Sequence, residues 1–295
     1  MNMRNNENIP ASPREVSQAL KAVSPIFVWT GEQYYIPGTA VLIAENLALA
    51  AQHVIEDIYQ KIFNIEPDQL YSISHRNITL DVAVSQLETG AIWHVNHVWS
   101  SNHTDAAFLA LTPKNDAAKT MKWHKLGMDL RIPHVGTKIT AVGFRKSEIT
   151  SVDEGKNQPG VTHLKANCNL RLVRGDVQAI HPSGRNKMLP FTCFQTNAHF
   201  EPQMSGGAVL DDEGFLRGLV CKGFDLADNT DEDPISYAAG IMPVMAILLD
   251  KTFPDLRPTT PYPALELAKS GYLIARAHER VTITVADGKS CIRLD

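Results

Sequence analysis

The sequence predicts an all-β protein, because short β-branched and aromatic runs recur between turn signals over most of its length. Within residues 25–110 these runs are IFVWT, QYYIP, TAVLIAE, ITLDVAVSQL and AIWHVNHVW, separated by Gly, Asn, Asp and Glu. Such spacing is typical of antiparallel strands joined by turns. A second set of strands is predicted between residues 138 and 240, interrupted by a polar stretch over 146–160 that predicts a flexible surface loop.

The N-terminal segment carries a helix signal. Ser12 and Glu15 form a capping box with Pro13 at the first helical position, and apolar residues then recur at helical spacing. The pattern predicts a short amphipathic helix over residues 12–23, packed as a lid on the strands.

The C-terminal segment follows a proline-rich connector, FPDLRPTTPYPALE. SGYLIARA then predicts a helix, and RVTITVADGKSCIRLD predicts a strand pair that turns at Asp287-Gly288. The apolar alternation in these runs needs a cover. We therefore expect residues from about Pro254 onward to dock on the preceding strands or on a partner chain.

Composition limits the class of protein. The chain has 295 residues, 44% of them hydrophobic and 20% charged, so it can bury a sizeable core. No apolar run is long enough to span a membrane, and the polar start MNMRNNENIPASPREV lacks the pattern of a secretory signal, so we expect a cytoplasmic protein. The formal charge of −4 gives no long-range attraction for nucleic acid.

No metal site is predicted. Strand alternation puts His94 and His97 on opposite faces, and with His103 they are interpreted as solvated histidines. The cysteines show no CxxC spacing and are interpreted as reduced, buried thiols; they are Cys168, Cys193, Cys221 and Cys291.

The run EPQMSGGAVL contains the strongest candidate for chemistry, Ser205-Gly206-Gly207. His53 in AAQHV and Asp105 in HTDAAFLAL precede it along the chain. A serine hydroxyl becomes nucleophilic when an imidazole takes its proton and a carboxylate orients that imidazole. Small residues beside the serine leave backbone amides open to a developing oxyanion.

Five segments around these residues resemble the trypsin-like (chymotrypsin-like) serine peptidase family, as an intracellular bacterial-type member. They are PGTAVLIAENLALAAQHV, HTDAAFLALTP, VGTKITAVGF, GLVCKGF and PISYAAGIMPVMAILL. The resemblance covers roughly residues 24–251 and implies two antiparallel six-stranded β-barrels with the active site between them. It places the barrels at about 24–128 and 129–252, after an N-terminal segment, 1–23, and before a C-terminal extension, 253–295.

By the same resemblance Ser205 is the nucleophile, His53 is the general base and Asp105 orients His53. The backbone N–H groups of Gln203 and Ser205 would hold the oxyanion. Such a site needs no metal or organic cofactor.

The substrate would be a protein or peptide. The resemblance places its backbone along Cys221, Lys222 and Gly223. His199 is the polar candidate for the base of the specificity pocket and would favour acidic side chains.

Asp81, in LDVAVSQL, competes with Asp105 for the carboxylate role. The catalytic residue should follow several strands after His53, and 81 − 53 = 28 residues leave less room for them than 105 − 53 = 52. We therefore favour Asp105.

Two departures from the family pattern Gly-x-Ser-Gly-Gly concern activation. Gln203 replaces the first glycine, and Met204 replaces the aspartate that pairs with a cut N-terminus in secreted zymogens. Glutamine tolerates unusual backbone angles less well than glycine. We therefore expect a weakly active resting enzyme with an incomplete oxyanion hole, activated by a substrate peptide or by a protein partner through the C-terminal extension. The alternative is a catalytically silent fold that acts as a peptide- or partner-binding module.

Overall fold

The computed structural model describes most of the chain, and mostly as β-strands. The described residues are 21–29, 33–63, 82–86, 90–122, 126–154, 162–224, 235–286 and 289–294. Most of the helix predicted over residues 12–23 lies outside them. Residues 21–22 are helical, and Val23 already begins the first strand.

Six strands close the first barrel, and a short seventh strand pairs at its edge. The strands are β1 (Val23–Trp29), β2 (Tyr34–Tyr35), β3 (Thr39–Ala44), β4 (Leu47–Ala50), β5 (Val82–Gln86), β6 (Ala91–Ser100) and β7 (Ala107–Pro113). Their order is β2-β1-β3-β4-β7-β6-β5, and pairing of β1 with β5 closes the ring. Burial alternates without exception along β6, so one face of this strand fills the barrel interior with residues such as Trp93 and Val95.

The second barrel has the same closure. Its strands are β8 (Met128–Asp129), β9 (Lys138–Glu154), β10 (Thr162–His181), β11 (Cys193–Thr196), β12 (Ala208–Asp211), β13 (Leu216–Phe224) and β14 (Ile235–Gly240). The order is β12-β9-β10-β11-β14-β13, closed by pairing of β12 with β13, and β8 adds to β13 in parallel. The prediction of two six-stranded antiparallel barrels is confirmed.

The prediction of a flexible loop over residues 146–160 is wrong for the described residues of this segment, 146–154. Strand β9 continues to Glu154 and pairs with β10 from residue 162 onward, so the two strands form a long hairpin; residues 155–161 lie outside the described part. Beyond the barrel such a hairpin has no apolar face to bury. Its polar composition therefore looks like that of a loop.

The described part of the chain also contains three α-helices and two 3₁₀ turns. The helices are α1 (Gln52–Phe63), α2 (Asp116–Thr120) and α3 (Leu265–Lys269), and the 3₁₀ turns are Met242–Ala246 and His278–Arg280. Helix α1 begins directly after β4 and buries Val54, Ile55 and Ile58 against the first barrel. Asn115 caps α2 by accepting a hydrogen bond from the Ala118 N–H at 3.0 Å.

The C-terminal segment docks on the protein's own barrels. Strand β15 (Leu248–Lys251) pairs with β16 (Pro258–Pro263), and β17 (Ala275–Arg276) extends the second sheet by pairing with β8. The predicted strand pair is present as β18 (Val281–Ala286) and β19 (Lys289–Leu294). The prediction of a helix in SGYLIARA is wrong, because residues 270–277 form no helix. The helical turn lies earlier, in LELAK, and the later residues are drawn into strand pairing with β8.

Apolar contacts hold this segment in place. Leu265, Leu267 and Leu273 belong to one buried cluster with Leu49 of the first barrel and Leu216 of the second. The Trp99 indole N–H also donates to Asp250 Oδ1 at 2.8 Å, and the Phe253 ring lies against Trp99. Within the described residues, no helix has the length and apolar character needed to cross a membrane.

His97 corrects the prediction of a solvated histidine. It is 3% exposed, with Nε2 3.4 Å from Asp250 Oδ1. His94, on the other face of β6, is half-buried, as the strand alternation predicts.

We predict that Leu265→Ala lowers the free energy of unfolding by about 2–5 kcal/mol, because a buried leucine truncated to alanine loses transfer free energy and leaves a cavity. Chemical denaturation measures this loss. Glu266→Ala, on the exposed face of the same helix, is the control and should change it by less than about 0.5 kcal/mol. Equal effects of the two substitutions would contradict docking of the segment.

Candidate active site

His53 and Asp105 form a hydrogen-bonded pair in the cleft. The His53 ring Nδ1 lies 2.8 Å from Asp105 Oδ2 and 3.0 Å from Oδ1, and the His53 backbone N–H donates to Oδ1 at 3.0 Å. The Asp105 side chain is 6% exposed, whereas that of His53 is 42% exposed. A buried carboxylate therefore fixes both the ring and the backbone of a histidine that remains open to solvent.

The pKa of His53 is raised above its ordinary value. Burial lowers this pKa, but the hydrogen bond to Asp105 and its negative charge outweigh burial. Glu56 raises the pKa further, and Lys222 lowers it.

The Cys221 thiol also interacts with the Asp105 carboxylate. Burial raises the pKa of the Cys221 thiol well above its ordinary value, and the charge of Asp105 and a hydrogen bond to it act in the same direction. The thiol stays protonated and can donate to the carboxylate. His53, Asp105 and Cys221 place potential metal ligands within 4.8 Å of one another.

Ser205 lines the same cleft as this pair. Among the described residues its hydroxyl hydrogen-bonds to the Cys221 carbonyl, at 3.4 Å, rather than to the His53 ring. A contact of this length is weak, so little holds the hydroxyl in that rotamer.

Thr39, at the start of β3, holds the turn that carries Ser205. Its N–H donates to the Ser205 carbonyl at 2.9 Å, and its hydroxyl donates to the Gln203 carbonyl at 3.0 Å. A Cβ at Gly206, whose φ is 82°, would lie 2.2 Å from the Thr39 carbonyl oxygen. The serine's neighbour is therefore a glycine because the first barrel approaches its backbone this closely.

Gln203 adopts the backbone conformation that was expected to need glycine. The Met204 N–H donates to the Glu201 carbonyl at 3.1 Å, and Gln203 has a φ of 70°. Pro202 fixes a negative φ at the preceding position, so residues 201–204 form a type II turn. The expectation that glutamine would leave this turn in another conformation is wrong, because its carbonyl and its side chain are both hydrogen-bonded.

Two backbone N–H groups in and next to this turn have no acceptor within the described part of the chain. The amides of Met204, Gly206 and Gly207 donate to carbonyl oxygens. Those of Gln203 and Ser205 donate to none among the described residues. They are the two N–H groups that the sequence predicts for an oxyanion hole.

A cleft of about 570 Å³ brings most of the predicted site residues together. Its lining includes the residues predicted to contact the substrate backbone and the three predicted catalytic residues; these are His53, Asp105, Ser205, Cys221, Lys222 and Gly223. His199 is not among the described residues that line it, whereas its neighbour Phe200 is. Asp81 lies outside the described residues.

The sequence analysis missed Thr39 and Glu56. Thr39 was interpreted only as the start of a strand. Its hydroxyl precedes an apolar run, and a hydroxyl that is buried with such a run requires a hydrogen-bond partner. Glu56 lies one helical turn after Gln52, which donates to it at 2.8 Å. Recognising α1 from its apolar spacing would have placed Glu56 beside the cleft.

Two closed six-stranded barrels, with a His–Asp pair and a serine facing one cleft, define a chymotrypsin-type architecture. A family model described as "Trypsin-like peptidase domain" matches residues 38–219, which is more than half of the chain. The chain belongs to this family.

One solved structure supports the fold, and a second form of the same protein is also similar to this chain. The active form of the protease Rv3671c from M. tuberculosis is 14% identical, with a TM-score of 0.51 over 85% of this chain and 87% of that chain. An inactive form of the same protein, with serine mutated to alanine, is 14% identical, with a TM-score of 0.46 over 77% of this chain and 84% of that chain. A search of curated proteins finds no match.

We predict that Thr39→Val destabilises the fold although it preserves the side-chain shape. The Thr39 hydroxyl donates to the Gln203 carbonyl and accepts from the Phe144 N–H at 3.0 Å, and valine leaves both groups unpaired. Each buried unpaired group costs about 1–3 kcal/mol. Chemical denaturation measures the change, with Thr112→Val on the exposed face of β7 as control. An unchanged stability of Thr39→Val would contradict this role.

Proposed function

We propose that this protein is a serine endopeptidase that hydrolyses peptide bonds of protein substrates through an acyl-enzyme. The observation that carries the proposal is the shared cleft, which is lined by a carboxylate-bound histidine and by Ser205. The N–H groups of Gln203 and Ser205 donate to no acceptor among the described residues. Membership of the trypsin-like peptidase family supports a peptidase activity.

Ser205 Oγ attacks the scissile carbonyl while His53 takes the hydroxyl proton. This step requires the hydroxyl to leave the Cys221 carbonyl and turn toward the ring. The contact it gives up is weak, at 3.4 Å. His53 then donates the proton to the leaving amine. A water molecule, activated in the same way, releases the acyl group.

Asp105 stays ionised and acts on His53. With Nδ1–H donated to the carboxylate, the other ring nitrogen of His53 is the one available to the serine. The N–H groups of Gln203 and Ser205 would stabilise the tetrahedral oxyanion. Residues 221–223 would lie along the substrate backbone, and no metal or cofactor takes part in the proposed steps.

The location and the partner are further parts of the proposal. A reducing, cytoplasmic compartment fits the free thiols of Cys168, Cys193 and Cys221. Activation through a protein partner at residues 253–295 stays a prediction. The division of the barrels at residues 128/129 likewise stays a prediction.

A silent binding module is the second candidate, favoured by the weak contact of Ser205 with Cys221 in place of one with His53. The two functions differ in one reaction. An activated serine reacts quickly with a fluorophosphonate probe, whereas an ordinary serine does not.

We predict that Ser205→Ala abolishes fluorophosphonate labelling and lowers casein hydrolysis by several orders of magnitude, because triad members act as one unit. Ser183→Ala, an exposed serine, is the matched control. Turnover that persists in Ser205→Ala would exclude this serine as the nucleophile.

Asp105→Asn should lower kcat by about 10⁴-fold, because an amide leaves His53 in the wrong tautomer. Asp116→Asn, whose side chain is 94% exposed, is the control. If Asp81→Asn has this effect and Asp105→Asn does not, the carboxylate has been assigned to the wrong residue.

The labelling rate should rise with pH through the raised pKa of His53, because only the neutral ring accepts the serine proton. Glu56→Gln removes a charge that raises this pKa and should move the acid limb of the profile to lower pH. Lys222→Met removes a charge that lowers it and should move the limb to higher pH. Shifts of the same sign would contradict the assignment of His53 as the base.

The raised pKa also means that protonated His53 stabilises the fold below the ordinary histidine pKa, and that this contribution is lost as pH rises through the raised pKa.

A further inference from the structure

The Gln203 side chain makes three hydrogen bonds to backbone groups. Its Oε1 accepts from the Ser147 N–H at 2.7 Å, and its Nε2 donates to the Ser147 carbonyl at 3.1 Å and to the Ile36 carbonyl at 3.2 Å. Pairing with both the N–H and the C=O of Ser147 reproduces what the peptide of a neighbouring strand would do. The side chain is therefore held at both of its polar atoms.

A β-bulge makes the Ser147 groups available. In the hairpin of β9 and β10, Glu148 pairs with Asn167 and Arg145 pairs with Asn169, with a register shift between these pairs. Lys146, inside the shift, has a φ of 43°. Because the ladder is interrupted here, the N–H and C=O of Ser147 turn to Gln203.

The three bonds connect the turn to both barrels. Ile36 lies between β2 and β3 of the first barrel, and Ser147 lies on β9 of the second. A further contact holds the start of the turn, where Arg145 Nη1 lies 2.6 Å from Glu201 Oε2. Met204 is fully buried among apolar side chains and offers the turn no charged anchor.

We infer that the Gln203 side chain is a positioning residue that holds the oxyanion turn in its type II form without a partner or a cut N-terminus. The inference rests on the proposed peptidase function. In a type I turn the 202–203 peptide is rotated by about 180° and Gln203 would have a negative φ, so its N–H would face the opposite side. The side chain prevents this rotation because its amide is bound to fixed backbone on either side of the turn.

The experiment compares wild type with Gln203→Gly and Gln203→Ala. Both variants lose the three hydrogen bonds. Glycine adopts a positive φ without cost, whereas alanine does not. We expect kcat on a fluorescent casein peptide and the rate of fluorophosphonate labelling to fall in the order wild type, glycine, alanine. The total loss should be about 10- to 10³-fold, with the upper limit set by loss of one oxyanion donor. Activation by a partner predicts the opposite for glycine, a higher basal rate.

Three further measurements separate positioning from a general loss of structure. Inhibition by phenylboronic acid, whose tetrahedral adduct requires the oxyanion hole, should weaken in parallel with kcat. The KM should change by less than about threefold, because ground-state binding does not use the hole. Gln178→Ala, an exposed amide on β10, should behave as wild type in all assays, and thermal unfolding shows whether each variant folds. If the alanine variant does not fold, the comparison of wild type with the glycine variant alone tests the role of the Gln203 side chain.

The outcomes distinguish the inference from the proposed function. If wild type is active and the kcat of Gln203→Gly equals or exceeds that of wild type, the proposed role of the Gln203 side chain is overturned. The proposed peptidase function is unaffected by that result. A wild type that is inert to both the fluorophosphonate and the casein peptide overturns the peptidase function and the inference with it. A graded loss with an unchanged KM supports both.

Discussion

The site depends on the contact between Gly38-Thr39 and the turn that carries Ser205. Thr39 binds the carbonyls of Gln203 and Ser205, and Gly206 has no side chain because the Thr39 carbonyl occupies that space. Thr39 begins β3, and its partner strand β4 leads directly into His53. One short segment of the first barrel therefore sets the position of the nucleophile relative to the base.

Asp105 shows how a buried charge is retained in such a cleft. An ionised carboxylate out of water is costly unless donors surround it. Here the ring and backbone N–H groups of His53 and the Cys221 thiol supply them. All three donors come from outside the β6–β7 connection that carries Asp105. The carboxylate thus links α1 of the first barrel to β13 of the second while it orients the base.

Local pattern predicted the strands and the C-terminal strand pair, and the resemblance to the trypsin-like peptidase family implied the two barrels and most of the residues that line the cleft. They failed where tertiary pairing overrides local pattern. The 146–154 segment is polar because its strand lies outside a core. In the SGYLIARA run, Ala275–Arg276 is strand because it pairs with β8. His199 could not be placed from its distance to Ser205 along the chain, since the direction of a pocket wall depends on strand register.

Gln203 marks the limit of arguing from residue type alone. A non-glycine residue at positive φ costs about 1–3 kcal/mol, which favours glycine at this position when the backbone is considered by itself. Three side-chain hydrogen bonds at about 0.5–1.5 kcal/mol each offset that cost. Glycine would remove the strain but also these three side-chain hydrogen bonds. The two terms are of similar size, so the conformation costs little, and the glutamine adds a restraint that glycine cannot supply.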